Sequence, residues 1–259
     1  MSQPILFYRD LQPSATGTPV LILHGVFGSS DNWLTLGKKL AEEHRVLLVD
    51  LRNHGQSFHH ADFTYAAMVQ DIINLADHLG LAQFHLIGHS MGGKVAMATA
   101  QTIPDRVARL IVVDIAPKVY PPHHQLILEA MTTADLATAK SRKEVDERVT
   151  PYIPDLGTRQ FILKNIKRGE QGMEWKLNLP VIKEKIEEVG ANPMLETVFE
   201  KPTLFIKGGD SAYINVQDAA LLAASFPNYD LEVIDGANHW VHATKPEETL
   251  DSIRTFLQD

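Results

Sequence analysis

Short runs of leucine and β-branched residues alternate along the chain with segments whose apolar residues recur every three or four positions. Four of these runs are almost continuously apolar: 18–25, 44–50, 83–89 and 108–114. Strands that are buried on both faces by flanking helices have this pattern. The intervening segments 64–80 and 91–107 have helical periodicity. The alternation predicts βαβ units and a mostly parallel sheet flanked by helices.

The alternation stops in the middle of the chain. From Pro117 to about Lys201 the sequence has a proline- and histidine-rich stretch and then amphipathic, charge-rich segments, without a strong strand signal. Strand signals return at 202–209 and 230–236, and a helical pattern follows each of them. The sheet pattern therefore resumes after an interruption of more than 80 residues.

This interruption predicts an insertion into one core domain. We expect residues 1–117 and 201–259 to form the core and residues 118–200 to form a mainly helical cap, or lid. A separate domain at the same place is the alternative. The return of the sheet pattern favours the insertion.

Composition narrows the functional class. The chain has 259 residues, 44% of them hydrophobic, a formal net charge of −8 and no cysteine. The acidic balance, without a basic stripe, argues against a nucleic-acid partner. Without cysteine there is no disulfide and no thiolate metal site. The first residues do not resemble a signal peptide, and no apolar run approaches the roughly 20 residues of a membrane span, so a cytoplasmic location is expected.

One serine has the surroundings of a nucleophile. Residues 88–92 read G-H-S-M-G, with a predicted strand before them and a predicted helix after them. In this strand–turn–helix context the pattern G-x-S-x-G is typical of a nucleophile elbow. The flanking glycines leave room for a strained turn that exposes Ser90 at a helix N-terminus. The alternative is that Ser90 only caps the helix.

A nucleophilic serine needs a base, and the base needs an orienting carboxylate. His239 follows the predicted strand at 230–236 and is the favoured base, with His242 as the alternative. Asp114 and Asp210 both follow predicted strands and are the candidate acids. Asp114 comes directly after buried apolar residues, where an unpartnered carboxylate would be unfavourable. Asp210 is also an ordinary turn residue.

Several motifs together resemble the α/β-hydrolases over most of the chain. They are HGVFGSSDNW (24–33), DLRNHGQS (50–57), GHSMGG (88–93) and GANHWVHATKPEE (236–248). With VVDIAP, they are most similar to the YbfF-type esterases of bacteria and their eukaryotic relatives. The resemblance implies an α/β-hydrolase fold with a helical cap between strands 6 and 7. It also implies hydrolysis of esters or thioesters, acyl-CoA among them.

The resemblance bears on the acid and on the oxyanion hole. In many α/β-hydrolases the acid stands three residues after the glycine that ends strand 7, and that position here is Ser211. This departure favours Asp114, because some members place the acid after strand 6. The oxyanion donors are expected to be the backbone N–H groups of Met91 and Val26, with Phe27 as the alternative to Val26.

Substrate contacts are predicted from residue type and position. Phe27 and Trp240 are expected to line the acyl pocket, although single aromatic residues are more often core. Three basic residues of the insertion are candidates to meet an anionic substrate such as a CoA phosphate: Lys164, Lys167 and Arg168. The alternative for them is a solvated helix face.

The sequence therefore predicts a serine hydrolase that acts on a small-molecule acyl ester or thioester, as a monomer or a homodimer. The mechanism requires no cofactor and no metal. The adjacent pairs His59–His60 and His123–His124 lack the spacing of a helical zinc motif. A cofactor-free haloperoxidase, a C–C bond hydrolase and a non-catalytic receptor are alternatives on the same fold.

Overall fold

The predicted sheet is present and is mostly parallel. A computed structural model describes residues 4–121, 124–169 and 172–258. Within these ranges seven strands form one sheet in the order β1-β3-β2-β4-β5-β8-β9, and two more form a small ribbon. The strands are β1 (Tyr8–Leu11), β2 (Val20–Leu23), β3 (Val46–Val49), β4 (Phe84–His89), β5 (Val107–Val113), β6 (Ile166–Arg168), β7 (Met173–Trp175), β8 (Thr203–Gly208) and β9 (Tyr229–Ile234).

Helices cover both faces of this sheet. The described helices are α1 (Leu34–Leu40), α2 (Tyr65–His78), α3 (Met91–Thr102), α4 (Gln125–Thr133), α5 (Arg142–Val149), α6 (Leu156–Leu163), α7 (Leu179–Glu184), α8 (Ile186–Gly190), α9 (Ala219–Ser225), α10 (Val241–Thr244) and α11 (Pro246–Gln258). Alternate residues of β2 enter two different apolar clusters, with Leu21 and Leu23 in one and Val20 and Ile22 in the other. The continuously apolar strand sequence follows from burial on both faces.

The strand register brings the ends of four parallel strands to one edge of the sheet. β2 pairs with β4, β4 with β5, and β5 with β8, all in parallel. Val113 at the end of β5 lies opposite Ile206, two residues before the end of β8. Side chains that follow these strands therefore meet at the same edge, as in other parallel α/β sheets.

The insertion leaves the sheet after β5 and returns at β8. Within the described ranges β5 and β8 are the fifth and sixth strands of this sheet in chain order, whereas the resemblance implied strands 6 and 7. The described residues between them form α4 to α8 and the β6–β7 ribbon. The sequence did not predict this ribbon, because each strand has only three residues and none is a continuous apolar run. None of the helices in the described ranges is long and apolar enough to cross a membrane.

Candidate active site

Ser90 stands in a strained turn between β4 and α3. Its backbone has φ 53° and ψ −118°, a conformation that non-glycine residues rarely adopt. The Ser90 N–H donates to the carbonyl oxygen of Val113, at 3.0 Å. A Cβ atom on Gly88 would lie 2.2 Å from the carbonyl oxygen of Gly92, so the strand and the helix approach too closely for any side chain there. The glycines of the motif are therefore required by packing.

Ser90, His239 and Asp114 form one hydrogen-bonded row. Ser90 Oγ lies 3.1 Å from His239 Nε2, and His239 Nδ1 lies 2.8 Å from Asp114 Oδ2. His242, the alternative base, is buried and stacks on the ring of Trp33 at 4.2 Å between centroids. The structure thus brings together the three favoured residues and gives His242 a packing contact.

Asp114 is fully buried, and three donors reach its carboxylate. Oδ1 accepts the N–H of Gly208 at 3.0 Å, and Oδ2 accepts the hydroxyl of Ser211 as well as His239 Nδ1. Ser211 is the position at which the resemblance places the acid in many relatives, and here its hydroxyl donates to Asp114 instead. Asp210 is exposed in the turn after β8.

Two neighbours fix the His239 ring and loop. The Tyr213 ring stacks on the imidazole with centroids 3.7 Å apart and planes 12° apart. His89 Nε2–H donates to the His239 carbonyl oxygen at 2.9 Å. Burial, followed by the proximity of His239 and His242, holds the pKa of His89 well below its ordinary value, so His89 is neutral. Neither neighbour was predicted from the sequence, although His89 is the first variable residue inside the G-x-S-x-G pattern.

The loop after β2 supplies the second candidate oxyanion donor. The Phe27 N–H donates to His54 Nε2 at 3.2 Å and is therefore engaged. Within the described ranges, the N–H groups of Val26 and Met91 have no hydrogen-bond acceptor. Free N–H groups at the start of a helix, such as that of Met91, are expected. Of the two alternatives, this geometry favours Val26 over Phe27.

Known proteins resemble this chain in fold and in sequence. Residues 18–137 match a family profile described as the alpha/beta hydrolase fold. The sn-1-specific diacylglycerol lipase ABHD11 of Danio rerio is 37% identical, over 98% of this chain and 82% of its own. The chain belongs to the α/β-hydrolase family. Esterase YbfF of Escherichia coli K12 is 35% identical to this hydrolase, over 97% of each chain. The solved structure of a marine microorganism esterase has a TM-score of 0.94 and 36% identity, and the alignment covers 98% of the hydrolase and 100% of that chain.

A narrow cavity opens beside Ser90 in this hydrolase. Its volume is about 20 Å³, which is room for about one water molecule. The lining residues come from the elbow, the segment after β5, the insertion and the loop after β8: Ser90, Met91, Ile115, Tyr120, Pro121, His124, Ile186, Val189, Gly190 and Tyr213. The insertion therefore covers the candidate nucleophile.

The two aromatic residues predicted for the acyl pocket do not line this cavity. Phe27 is buried and makes an edge contact with the ring of His124. Trp240 packs on Phe161 of the insertion, with centroids 4.0 Å apart. The cavity at Ser90 is instead lined mainly by aliphatic and tyrosine side chains. Most of them lie on the insertion or in the loops after β5 and β8, whose packing the sequence did not predict.

Lys94 attaches the insertion to the core of the hydrolase. It lies on α3 and is 1% exposed, and its ammonium donates to the carbonyl oxygens of Gly190 at 2.9 Å and Ala191 at 2.5 Å. Burial lowers the pKa of Lys94 to about 7. Gly190 and Val189 both line the cavity at Ser90, so Lys94 holds one wall of that cavity in place.

The three basic candidates of the insertion do not converge on one point. Lys167 and Arg168 lie exposed on β6, where Lys167 pairs with Glu174 at 3.2 Å. Lys167 borders a polar cavity of about 550 Å³ together with Arg9 and Lys176, whereas Arg168 borders a different cavity. Lys164 is exposed at the end of α6.

No group of three or more histidine, aspartate or glutamate side chains in the described ranges is arranged to hold a metal ion. Of the histidine pairs noted in the sequence, His59–His60 lies in the turn after β3. His123 lies outside the described residues.

Proposed function

We propose that this hydrolase cleaves carboxylic esters, and acyl thioesters such as acyl-CoA, through an acyl-enzyme on Ser90. The observation that carries the proposal is the row Ser90–His239–Asp114, with hydrogen-bond distances of 3.1 and 2.8 Å. The named esterases and lipase among the relatives support an ester-hydrolysing enzyme of the carboxylesterase type. A receptor would not need these groups to be aligned.

The first half of the reaction forms the acyl-enzyme. Ser90 Oγ attacks the acyl carbon while His239 Nε2 takes the hydroxyl proton. The carbonyl oxygen becomes an oxyanion and is held by the N–H groups of Val26 and Met91. His239 then gives the proton to the leaving oxygen or sulfur, and the carbon–heteroatom bond breaks.

The second half releases the acid. Water attacks the acyl carbon, His239 takes its proton, and the same two N–H groups hold the second oxyanion. When this intermediate collapses, Ser90 regains its proton from His239 and the carboxylic acid leaves. Asp114 stabilises the imidazolium in both halves and keeps the Nδ1–H tautomer of His239.

The thioester part of the proposal requires a place for the anionic leaving group near the insertion. Arg9, Lys167 and Lys176 border one polar cavity of about 550 Å³, which also contains Asp31 and Asp50. Arg9 and Lys176 already pair with Asp31, at 2.6 and 3.2 Å. We assign this cavity to the phosphate groups of a CoA leaving group, with residues 118–200 as the cap that covers the acyl group.

The test compares hydrolysis of p-nitrophenyl butyrate and butyryl-CoA by the wild type, Ser90→Ala and Ser252→Ala. Ser252 is a matched control, because it is also a buried serine but its hydroxyl donates to Glu248 within α11. We expect Ser90→Ala to lose at least about 10³-fold in kcat and Ser252→Ala to keep wild-type kcat. Equal turnover by Ser90→Ala would overturn the proposal.

The substrates separate the finer alternatives. Turnover of the butyrate ester without turnover of butyryl-CoA would restrict the proposal to oxygen esters. Ser90-dependent bromination by bromide and peroxide, without ester hydrolysis, would identify a haloperoxidase instead. Saturable ligand binding without turnover of either acyl substrate would identify a receptor.

A further inference from the structure

The backbone of Phe27 is held on both sides of its Cα atom, through the two peptide groups that flank it. Its N–H donates to His54 Nε2 at 3.2 Å, and its carbonyl oxygen accepts Asn165 Nδ2 at 2.5 Å. Phe27 has φ 59°, in the left-handed region that a phenylalanine rarely occupies. A strained residue keeps such a conformation only when its surroundings impose it. Here the two hydrogen bonds hold Phe27 in the left-handed conformation.

His54 can hold the N–H only in one protonation state. Its Nδ1–H donates to the Arg52 carbonyl oxygen at 2.9 Å, which leaves Nε2 as the acceptor for Phe27. His54 is fully buried and its ring packs against His24, with centroids 5.0 Å apart. Burial lowers the pKa of His54 to about 3, so the ring remains a neutral acceptor at physiological pH.

Asn165 reaches the loop from the insertion, in the turn between α6 and β6. It is 1% exposed, and its Nδ2 also donates to the Ile162 carbonyl oxygen at 3.2 Å. Its Oδ1 is buried and has no hydrogen-bond partner among the described residues. An unpaired buried carbonyl oxygen is unfavourable. Because burial of this amide is unfavourable on the Oδ1 side, we take the hydrogen bond from Nδ2 to Phe27 as the reason for an asparagine at this position.

We propose that His54 and Asn165 are positioning residues that fix the backbone on both sides of Phe27 and thereby aim the N–H of the preceding residue, Val26, at the oxyanion. Because Asn165 belongs to the insertion, the oxyanion hole is complete only when the insertion is seated on the core. The proposal rests on the proposed function, since it assumes an oxyanion formed at Ser90. Phe27 thus acts through its backbone and not as an acyl-pocket side chain.

The insertion offers a matched control for this contact. Asn178 Nδ2 donates to Asn53 Oδ1 at 3.0 Å, and its N–H donates to the Asn53 carbonyl oxygen at 2.8 Å. Asn178 therefore also joins the insertion to the core, at the residue that precedes His54, but it makes no hydrogen bond to Phe27 within the described ranges. A variant at Asn178 reports the effect of a weakened insertion alone.

The experiment measures kcat and KM for p-nitrophenyl butyrate, and inhibition by a butyl trifluoromethyl ketone, in Asn165→Leu, Asn165→Ala and Asn178→Leu. The ketone forms a hemiketal on the serine, so its affinity reports the oxyanion hole. For both Asn165 variants we expect kcat to fall by about tenfold to 10²-fold with KM changed by less than about threefold. Their inhibition constants should rise by a similar factor. Two variants at Asn165 are used in case leucine prevents folding.

Equal kcat and equal ketone affinity in the Asn165 and Asn178 variants would overturn the inference. A parallel rise in KM in all three would also overturn it, because it would show a general loosening of the insertion. Wild-type turnover that survives in Ser90→Ala is a different failure, which removes the proposed function itself.

Discussion

Replacement of Asp114 by asparagine tests which acid orients His239. The carboxylate receives three donors: the Gly208 N–H on Oδ1, and Ser211 Oγ and His239 Nδ1 on Oδ2. The carbonyl oxygen of an asparagine must remain at the Oδ1 position, because the Gly208 N–H cannot turn away. Its NH₂ group then occupies the Oδ2 position. The Ser211 hydroxyl can rotate and accept from this NH₂, but His239 can accept only with a bare Nδ1.

The magnitude follows from this forced change of tautomer. With Nδ1 bare, the proton of neutral His239 resides on Nε2, which then cannot accept the proton of Ser90. Loss of the correct tautomer in a Ser-His-Asp triad lowers kcat by about 10⁴, which is about 5.4 kcal/mol in activation free energy. Asp210→Asn is expected to leave kcat within about twofold, because exposed surface substitutions have small effects.

The assay is kcat for p-nitrophenyl butyrate at saturating substrate, with thermal unfolding measured on the same preparations. Asp210→Asn provides the control, because it makes the same chemical change at the other candidate acid. If Asp114→Asn keeps more than a tenth of wild-type kcat, or if Asp210→Asn loses as much, the assignment of the acid is wrong.

Three further predictions follow from contacts described above. Gly88→Ala should reduce the free energy of unfolding in urea by at least about 2 kcal/mol, because its Cβ would lie 2.2 Å from a backbone oxygen. The control Gly157→Ala in α6, where nothing lies closer than 3.3 Å to the added Cβ, should change that free energy by less than about 1 kcal/mol. In the wild type the folded-state pKa of Lys94, about 7, lies below its unfolded value, so the unfolded chain binds more protons and stability should rise from pH 7 to 10. Lys94→Met should flatten this rise in urea unfolding, and a wild type without the rise would contradict the reasoning. Lys167→Ala should lower kcat/KM for butyryl-CoA by about threefold, a small effect because the charge is exposed, and should leave kcat/KM for p-nitrophenyl butyrate unchanged. Arg168→Ala is the control, because Arg168 borders the other cavity.

Much of the fold could be predicted because burial on both faces leaves a clear signature. β2 and β3 are continuously apolar, β4 and β5 are almost so, and all four predicted strands are present. β1 was not predicted, because YRDL at the antiparallel edge is half-buried and polar. The acyl-pocket assignment of Phe27 and Trp240 relied on residue type alone, and neither lines the cavity at Ser90.

The candidate site was predictable where chemistry is encoded locally. Ser90 and His239 follow recognisable strands, and the apolar run before Asp114 marks that carboxylate as partnered. The hydroxyl of Ser211 at the usual acid position was visible as a departure, but its hydrogen bond to Asp114 was not. The contact of Asn165 with Phe27 spans 138 residues and has no periodicity or motif in the sequence.

The hydrogen bond between Ser211 and Asp114 has an evolutionary consequence. β5 and β8 are adjacent and parallel, so side chains that follow the two strands meet: Ser211 Oγ and His239 Nδ1 both bind Oδ2 of Asp114. An acidic residue gained at position 211 while Asp114 remains would place two carboxylates together, and one of them would stay ionised because the other takes up a proton. A chain with carboxylates at both positions would therefore keep one ionised carboxylate beside His239. The acid of a lineage can therefore move from one strand to its neighbour in two single substitutions without an inactive intermediate.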